Sequence, residues 1–395
     1  MTNGSDNSGR VISVLEPLSS GIQHVPFNAA MLEVVLLSYP DATVRFYAEP
    51  QHVHEVRSVL GKSADRIHWN PIDIPPRDAE FTRRFLFEYR VIRAIARDSS
   101  FDRDYLLVLT AIESTILAAK FLHKRGIPLR IQAVLHGYLN GIAGWRSRNP
   151  LRRMTDLRAA LTRWGNEGLQ YLVLEEPIRD YALELLPALS PHLEFVNHPF
   201  PSEQASAASQ PPMQYPLRIG FLGLATAQKG FDQFVDLAQA VKRVFGDRVE
   251  FHAFGRAMSD ARDIRFDCLT TAPAAVGLSR NDYLRGVQSL HYVCLPYRGS
   301  HYELSASGVL LDALAQLKPM IALPSPVVRE MFLRQPSAGY LCETHEQMVD
   351  AALRIATTMD AHEYQARVSA VRRLRDERSP ESVARRYIDV TRLLK

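Results

Sequence analysis

Short apolar runs alternate along this chain with longer stretches in which apolar residues recur at helical spacing. The runs are Val11–Leu15, Val44–Ala48, Ile67–Trp69, Tyr105–Thr110, Ile131–Leu135, Tyr171–Leu174 and Phe195–Val196. The periodic stretches are Asn28–Ser38, His52–Leu60, Arg83–Arg97, Ser114–Lys124 and Ile178–Leu186. Runs that are apolar on both faces suit a parallel sheet covered by helices, and regular alternation of strand and helix suits crossover units. The pattern stops at Pro201–Pro216 (PSEQASAASQPPMQYP), which holds almost no core material and reads as an exposed linker. It restarts with a strand at Leu217–Leu222, a helix at Phe231–Phe245, a strand at Val249–Phe254, a helix at Leu278–Val287 and a strand at His291–Leu295. A helix apolar almost all round opens near Ser305, and strands at Met320–Leu323 and Ala338–Cys342 lead into helices from His345 onward. The expected fold class is α/β, with two Rossmann-like doubly wound parallel-sheet domains over residues 1–200 and 217–380, a linker at 201–216 and a last segment at 381–395. A length of 395 residues suits two domains of ordinary size.

Composition narrows the classes. Hydrophobic residues make up 46% of the chain, enough for sizeable cores, while a net charge of +4 is too weak to argue for nucleic acid. Cys268, Cys294 and Cys342 are far apart with no C-x-x-C, which fits a reducing compartment and offers no metal motif. The N-terminal MTNGSDNSGR lacks the apolar centre of a signal peptide, and no stretch approaches the ~20 apolar residues of a membrane span. A cytoplasmic location is expected. Asn149-Pro150 reads as a helix start, with Leu151, Met154, Leu157, Leu161 and Trp164 on one face and Arg152, Arg153, Arg158 and Arg163 elsewhere. Packing against its own domain is the expected role of that face; contact with an anionic membrane surface is the alternative. The arginines of Arg83–Arg97 are expected on a solvated face.

The candidate chemistry lies where strands hand over to helices. In a doubly wound sheet ligands bind beside the C-terminal ends of the strands. Gly21–His24 follows the first strand, and His136-Gly137 follows the strand at Ile131–Leu135. Lys229-Gly230 precedes a helix but is no P-loop, and Gly220 and Gly223 do not complete G-x-G-x-x-G. The helix near Ser305 begins with the small residues Ser305, Ser307 and Gly308, so its free N–H groups suit a phosphate. Asp312 lies one turn further on the same face. A buried carboxylate there needs a partner, and either a ribose diol or a protein donor would serve.

Two segments carry a family resemblance. LLDALAQLKPMIA and KGFDQFVDLA resemble the nucleotide-sugar helix and the Lys-Gly loop of GT-B glycosyltransferases, especially family 4. His136-Gly137 and the exit Phe195-Val196-Asn197-His198-Pro199 resemble the N-terminal domain of the same enzymes. Leu304 stands where the family's first Glu belongs, with Glu303 one residue before it; Asp312 stands at the second Glu, and Leu224 where an arginine is expected. The resemblance implies two domains facing a central cleft, with the last helix, 381–395, packing back on the first domain. It implies transfer of a sugar from a nucleotide diphosphate sugar to a glycan or lipid-linked acceptor, with retention and with neither metal nor cofactor, in cell-surface or exopolysaccharide synthesis. His136, Lys229 and Glu303 would be the catalytic residues. Gly21, Lys229, Arg298, Ser305, Ser307, Gly308 and Asp312 would bind the donor, with Arg298 and His301 in a position to supply the charge that Leu224 does not. A nucleotide-sugar epimerase, or a binding protein without catalysis, fits the same fold.

Overall fold

The computed structural model describes residues 9–100, 102–144, 153, 155–206, 208–258, 264–298 and 302–394. The chain divides into two compact units, Met1–Glu203 with Arg378–Lys395, and Gln204–Glu377.

The first unit is built on a seven-stranded sheet. Its strands are β1 (Val11–Leu15), β2 (Thr43–Ala48), β3 (Ile67–Pro71), β4 (Tyr105–Val108), β5 (Ile131–Val134), β6 (Leu169–Leu174) and β7 (Leu193–Val196). The order is β3-β2-β1-β4-β5-β6-β7, and every neighbouring pair is parallel. All residues of β4, β5 and β6 are buried, as strands covered on both faces require. Because β2 and β4 leave β1 on opposite sides, the switch point of this sheet lies between the C-terminal ends of β1 and β4. The helix Pro380–Arg392 belongs to this unit. Ser38 donates to the Ala384 carbonyl, Gln170 donates to that of Val390, and the hydroxyls of Tyr105 and Tyr387 meet at 3.2 Å.

The second unit has five parallel strands in the order β12-β11-β10-β8-β9, where β8 is Leu217–Leu222, β9 Val249–Phe254, β10 Tyr292–Leu295, β11 Met320–Ala322 and β12 Gly339–Leu341. Its switch point lies between β8 and β10. The helix Gly308–Ala315 buries Val309, Leu310, Leu311, Ala313, Leu314 and Ala315. The stretch expected as a linker has firm anchors here. Gln210 donates to the Gln316 carbonyl, Tyr215 to that of Ala356, and the buried Lys318 ammonium to those of Ser209 and Gln288. Polar side chains thus tie a segment that lacks apolar ones.

Arg83, Arg90, Arg93 and Arg97 are exposed, but Arg84 is buried and donates to the Pro76 carbonyl. Residues 145–152 and 154, and with them most of the amphipathic stretch, lie outside the described residues. Of the remainder, Leu157 and Leu161 are buried, Arg158 donates to the carbonyls of Ile142 and Leu185, and Trp164 is exposed beneath the Lys124 ammonium. No helix among the described residues is long and apolar enough to cross a membrane.

Candidate functional site

At the switch point of the second sheet, glycines fix the loop that carries Lys229. Gly230 has φ 72°, and a Cβ there would lie 1.8 Å from the Pro296 carbonyl oxygen. A Cβ on Gly255 would lie 1.7 Å from the Gly223 carbonyl oxygen. Backbone contacts this close leave no room for any other residue, and they clamp the loop 223–230 to the ends of β9 and β10. The point where a Cβ on Gly223 would sit is 2.9 Å from Val309 Cγ2 and 3.4 Å from Lys229 Nζ. The ammonium therefore lies near Val309, in the first turn of the helix Gly308–Ala315. It has no hydrogen-bond or ion-pair partner among the described residues. Burial pushes its pKa down, and the nearby Asp312 carboxylate opposes that shift.

The helix start itself is well made. The Ser307 hydroxyl caps it by accepting from the Leu310 N–H at 3.3 Å and meets the Tyr297 hydroxyl at 2.6 Å; the Tyr297 ring packs on Tyr302 at 4.1 Å. Gly308 is exposed, and no atom lies within 4 Å of where its Cβ would be. Ser305 and Glu303 are half-buried, and Glu303 is flanked by the buried Tyr302 and Leu304. Arg298 lies on the loop after β10, where its guanidinium pairs with Asp232 at 2.6 Å. His301 lies outside the described residues.

Asp312 has partners within the protein. Its Oδ1 accepts from Gln204 Nε2 at 2.7 Å and from Arg280 Nη2 at 2.9 Å, and its Oδ2 accepts from the Tyr283 hydroxyl at 2.7 Å. A carboxylate offers about four acceptor positions, so little capacity is left for a ribose diol. Arg280, Tyr283 and Gln204 escape sequence reasoning because they are distant along the chain; the one signal is that a buried carboxylate requires donors.

The first unit gathers different chemistry at its own switch point. Glu16, fully buried at the end of β1, accepts from the N–H groups of Leu18 and Ser19, from Asn28 Nδ2 and from the Thr110 hydroxyl. Gly21 has φ 53°. Its N–H, the group a phosphate would need, is donated to Glu49 at 3.1 Å, and its carbonyl meets His52 Nδ1 at 2.8 Å. His24 precedes the helix Val25–Ser38 and stacks on His136 with ring centroids 4.5 Å apart. Phe27 and His198 close around His136 at 4.2 and 5.4 Å. The Nδ1 atoms of His24 and His136 are buried without a hydrogen-bond partner among the described residues. Burial lowers the pKa of both imidazoles, and that of His198 is pushed down to about 4. This cluster is neutral at pH 7. Sequence reasoning singles out His136 but not His198, whose place depends on β7 lying two strands from β5. No group of three or more His, Cys, Asp or Glu among the described residues is placed to hold a metal ion.

Two doubly wound parallel sheets in one chain, with the final helix returned to the first, define the GT-B architecture. Solved structures share it. A glycosyltransferase from Rickettsia africae ESF-5 matches with TM-score 0.67 and 12% identity, over 98% of this chain and 99% of that one. The E. coli trehalose-6-phosphate protein bound with UDP-2-fluoro glucose matches with TM-score 0.65 and 12% identity, over 98% and 99%. Anabaena HepE in complex with UDP matches with TM-score 0.61 and 11% identity, over 97% and 99%. No family model matches the sequence, and no curated protein matches it. At these identities the likeness is one of fold.

Proposed function

We propose that the chain is a glycosyltransferase that moves a sugar from a nucleotide diphosphate sugar to a glycan or lipid-linked acceptor. The observation that carries this reading is the unpartnered Lys229 ammonium near the open first turn of Gly308–Ala315, at the switch point of the second sheet. The solved neighbours bound with UDP and with UDP-2-fluoro glucose support it. Sugar transfer must stabilise a departing diphosphate and an oxocarbenium-like sugar. Fixed positive groups aimed at the leaving group lower that barrier. Lys229 and the N–H groups at the start of the helix take this role. Asp312 orients the ribose through the acceptor capacity its protein partners leave, and Glu303 holds the transferred sugar. The neutral rings of His24, His136 and His198 suit uncharged hydroxyl-bearing groups. Retention, independence of metal and a role in cell-surface or exopolysaccharide synthesis follow the family resemblance.

A hydrolysis panel of UDP-, GDP- and ADP-sugars with the purified chain, with and without EDTA, tests the reading. Release of nucleoside diphosphate from one donor class, unaffected by EDTA, is expected. Accumulation of a free epimer would replace transfer with epimerisation. Absence of release, together with no thermal shift by any nucleoside diphosphate, would make the chain a non-catalytic binding protein.

A further inference from the structure

We infer that Arg280 is a second diphosphate-binding cation, held beside Lys229 by Asp312. This role rests on the nucleotide-diphosphate reading above and adds a residue to it. A diphosphate brings more than one negative charge to the site, and Lys229 supplies a single positive one. Leu224, at the position the resemblance gives to an arginine, offers no charge, and Arg298 is paired with Asp232. Arg280 is placed differently. It is the first residue of the helix Arg280–Ser289, which Ser279 caps, and its side chain is 42% exposed. It reaches Asp312 through Nη2 alone, and its Nε and Nη1 groups have no hydrogen-bond partner among the described residues. A guanidinium is a planar fork that can hold a carboxylate on one edge and present its other N–H groups to a phosphate oxygen. Lys229 and Arg280 both act on the Asp312 carboxylate, the first through space and the second by direct contact. Both cations therefore act on one side chain, a turn inside the helix start. Asp312 is in this respect a positioning residue: it fixes where the guanidinium sits. The carboxylate keeps Tyr283 and Gln204 when Arg280 is removed, so truncation leaves no orphaned buried charge.

The test separates phosphate contact from mere support of Asp312. UDP, GDP and ADP, and the matching nucleosides, are titrated calorimetrically into the full-length parent, Arg280→Ala and Arg280→Lys. If Arg280 meets the diphosphate, Arg280→Ala weakens binding of the preferred nucleoside diphosphate roughly ten- to hundredfold, leaves the nucleoside unchanged, and is partly rescued by Arg280→Lys. Equal weakening of nucleoside and diphosphate would reduce Arg280 to a support for Asp312 and overturn the inference. Unchanged diphosphate affinity would overturn it as well while leaving the proposed function standing. A parent that binds none of the three diphosphates would overturn both.

Discussion

At the edge of the first sheet where β1 and β4 part, the rings of His24, Phe27, His136 and His198 gather, and the Glu16 carboxylate beside them is taken up by Leu18, Ser19, Asn28 and Thr110. At the corresponding edge of the second sheet, between β8 and β10, the side chains that gather are charged: Lys229, Arg280 and Asp312. The polar backbone groups differ in the same sense. The Gly21 loop spends its N–H and carbonyl on Glu49 and His52, whereas the Gly308 turn is left open. One architecture thus builds one edge lined by rings and another lined by charges. The division comes from which residues follow each strand, since the sheets themselves are alike in parallel order and burial.

The largest expected effect that would break this contrast is that of Lys229→Ala. Charge stabilisation that grows as the diphosphate departs is a transition-state effect, so kcat should fall about 10²–10³-fold and nucleotide affinity by less. Single-turnover kinetics beside equilibrium binding separates the two. Loss of nucleotide affinity with kcat unchanged would make Lys229 a ground-state contact only.

Next in size is a pH effect confined to the neutral edge. The His198 pKa is lowered by burial to about 4, from an ordinary 6.5. Above pH 6.5 the imidazole is neutral folded and unfolded, and the shift costs nothing. Between pH 6.5 and 4 the unfolded chain holds the extra proton, so stability falls as pH falls, by about 3 kcal/mol in total for this group. Below pH 4 the loss is complete. Comparing denaturant unfolding of the parent and His198→Gln from pH 7 to pH 4 isolates the term; parallel curves would show that His198 carries no such penalty.

Arg298→Ala should do least. Its pair with Asp232 is exposed, with side chains 44% and 32% accessible, and such pairs contribute about 0–1 kcal/mol. A chemical-denaturation midpoint that moved by more would place Arg298 in a tighter network than this one contact.

Much of the fold is legible in the amino-acid sequence. β4 stands out as an unbroken apolar run, and β5, β6, β8 and β9 as mainly apolar runs interrupted by Gln132, Gln170, Arg218, and Glu250 with His252; the helix Phe231–Phe245 matches its expected bounds. The site is legible only in its local parts. Ser307 as a helix cap and Gly230 before a helix follow from neighbours along the chain. The pairing of Asp312 does not, because its donors lie 29, 32 and 108 residues away. Nor does the meeting of His24, His136 and His198, which depends on strand order rather than on any motif. The composition of Pro201–Pro216 points to an exposed linker because polar residues carry no sign of the carbonyls and carboxylates they will find, as Gln204 finds Asp312.

The most direct test of the charge division is hydrogen exchange on the full chain with and without a saturating nucleoside diphosphate. Slower exchange is expected at 223–230 and 305–312, with residues 21–28 and 134–137 unchanged. Protection at 21–28 and 134–137 with none at 223–230 would contradict the division and would place the anion at the histidine-lined edge instead.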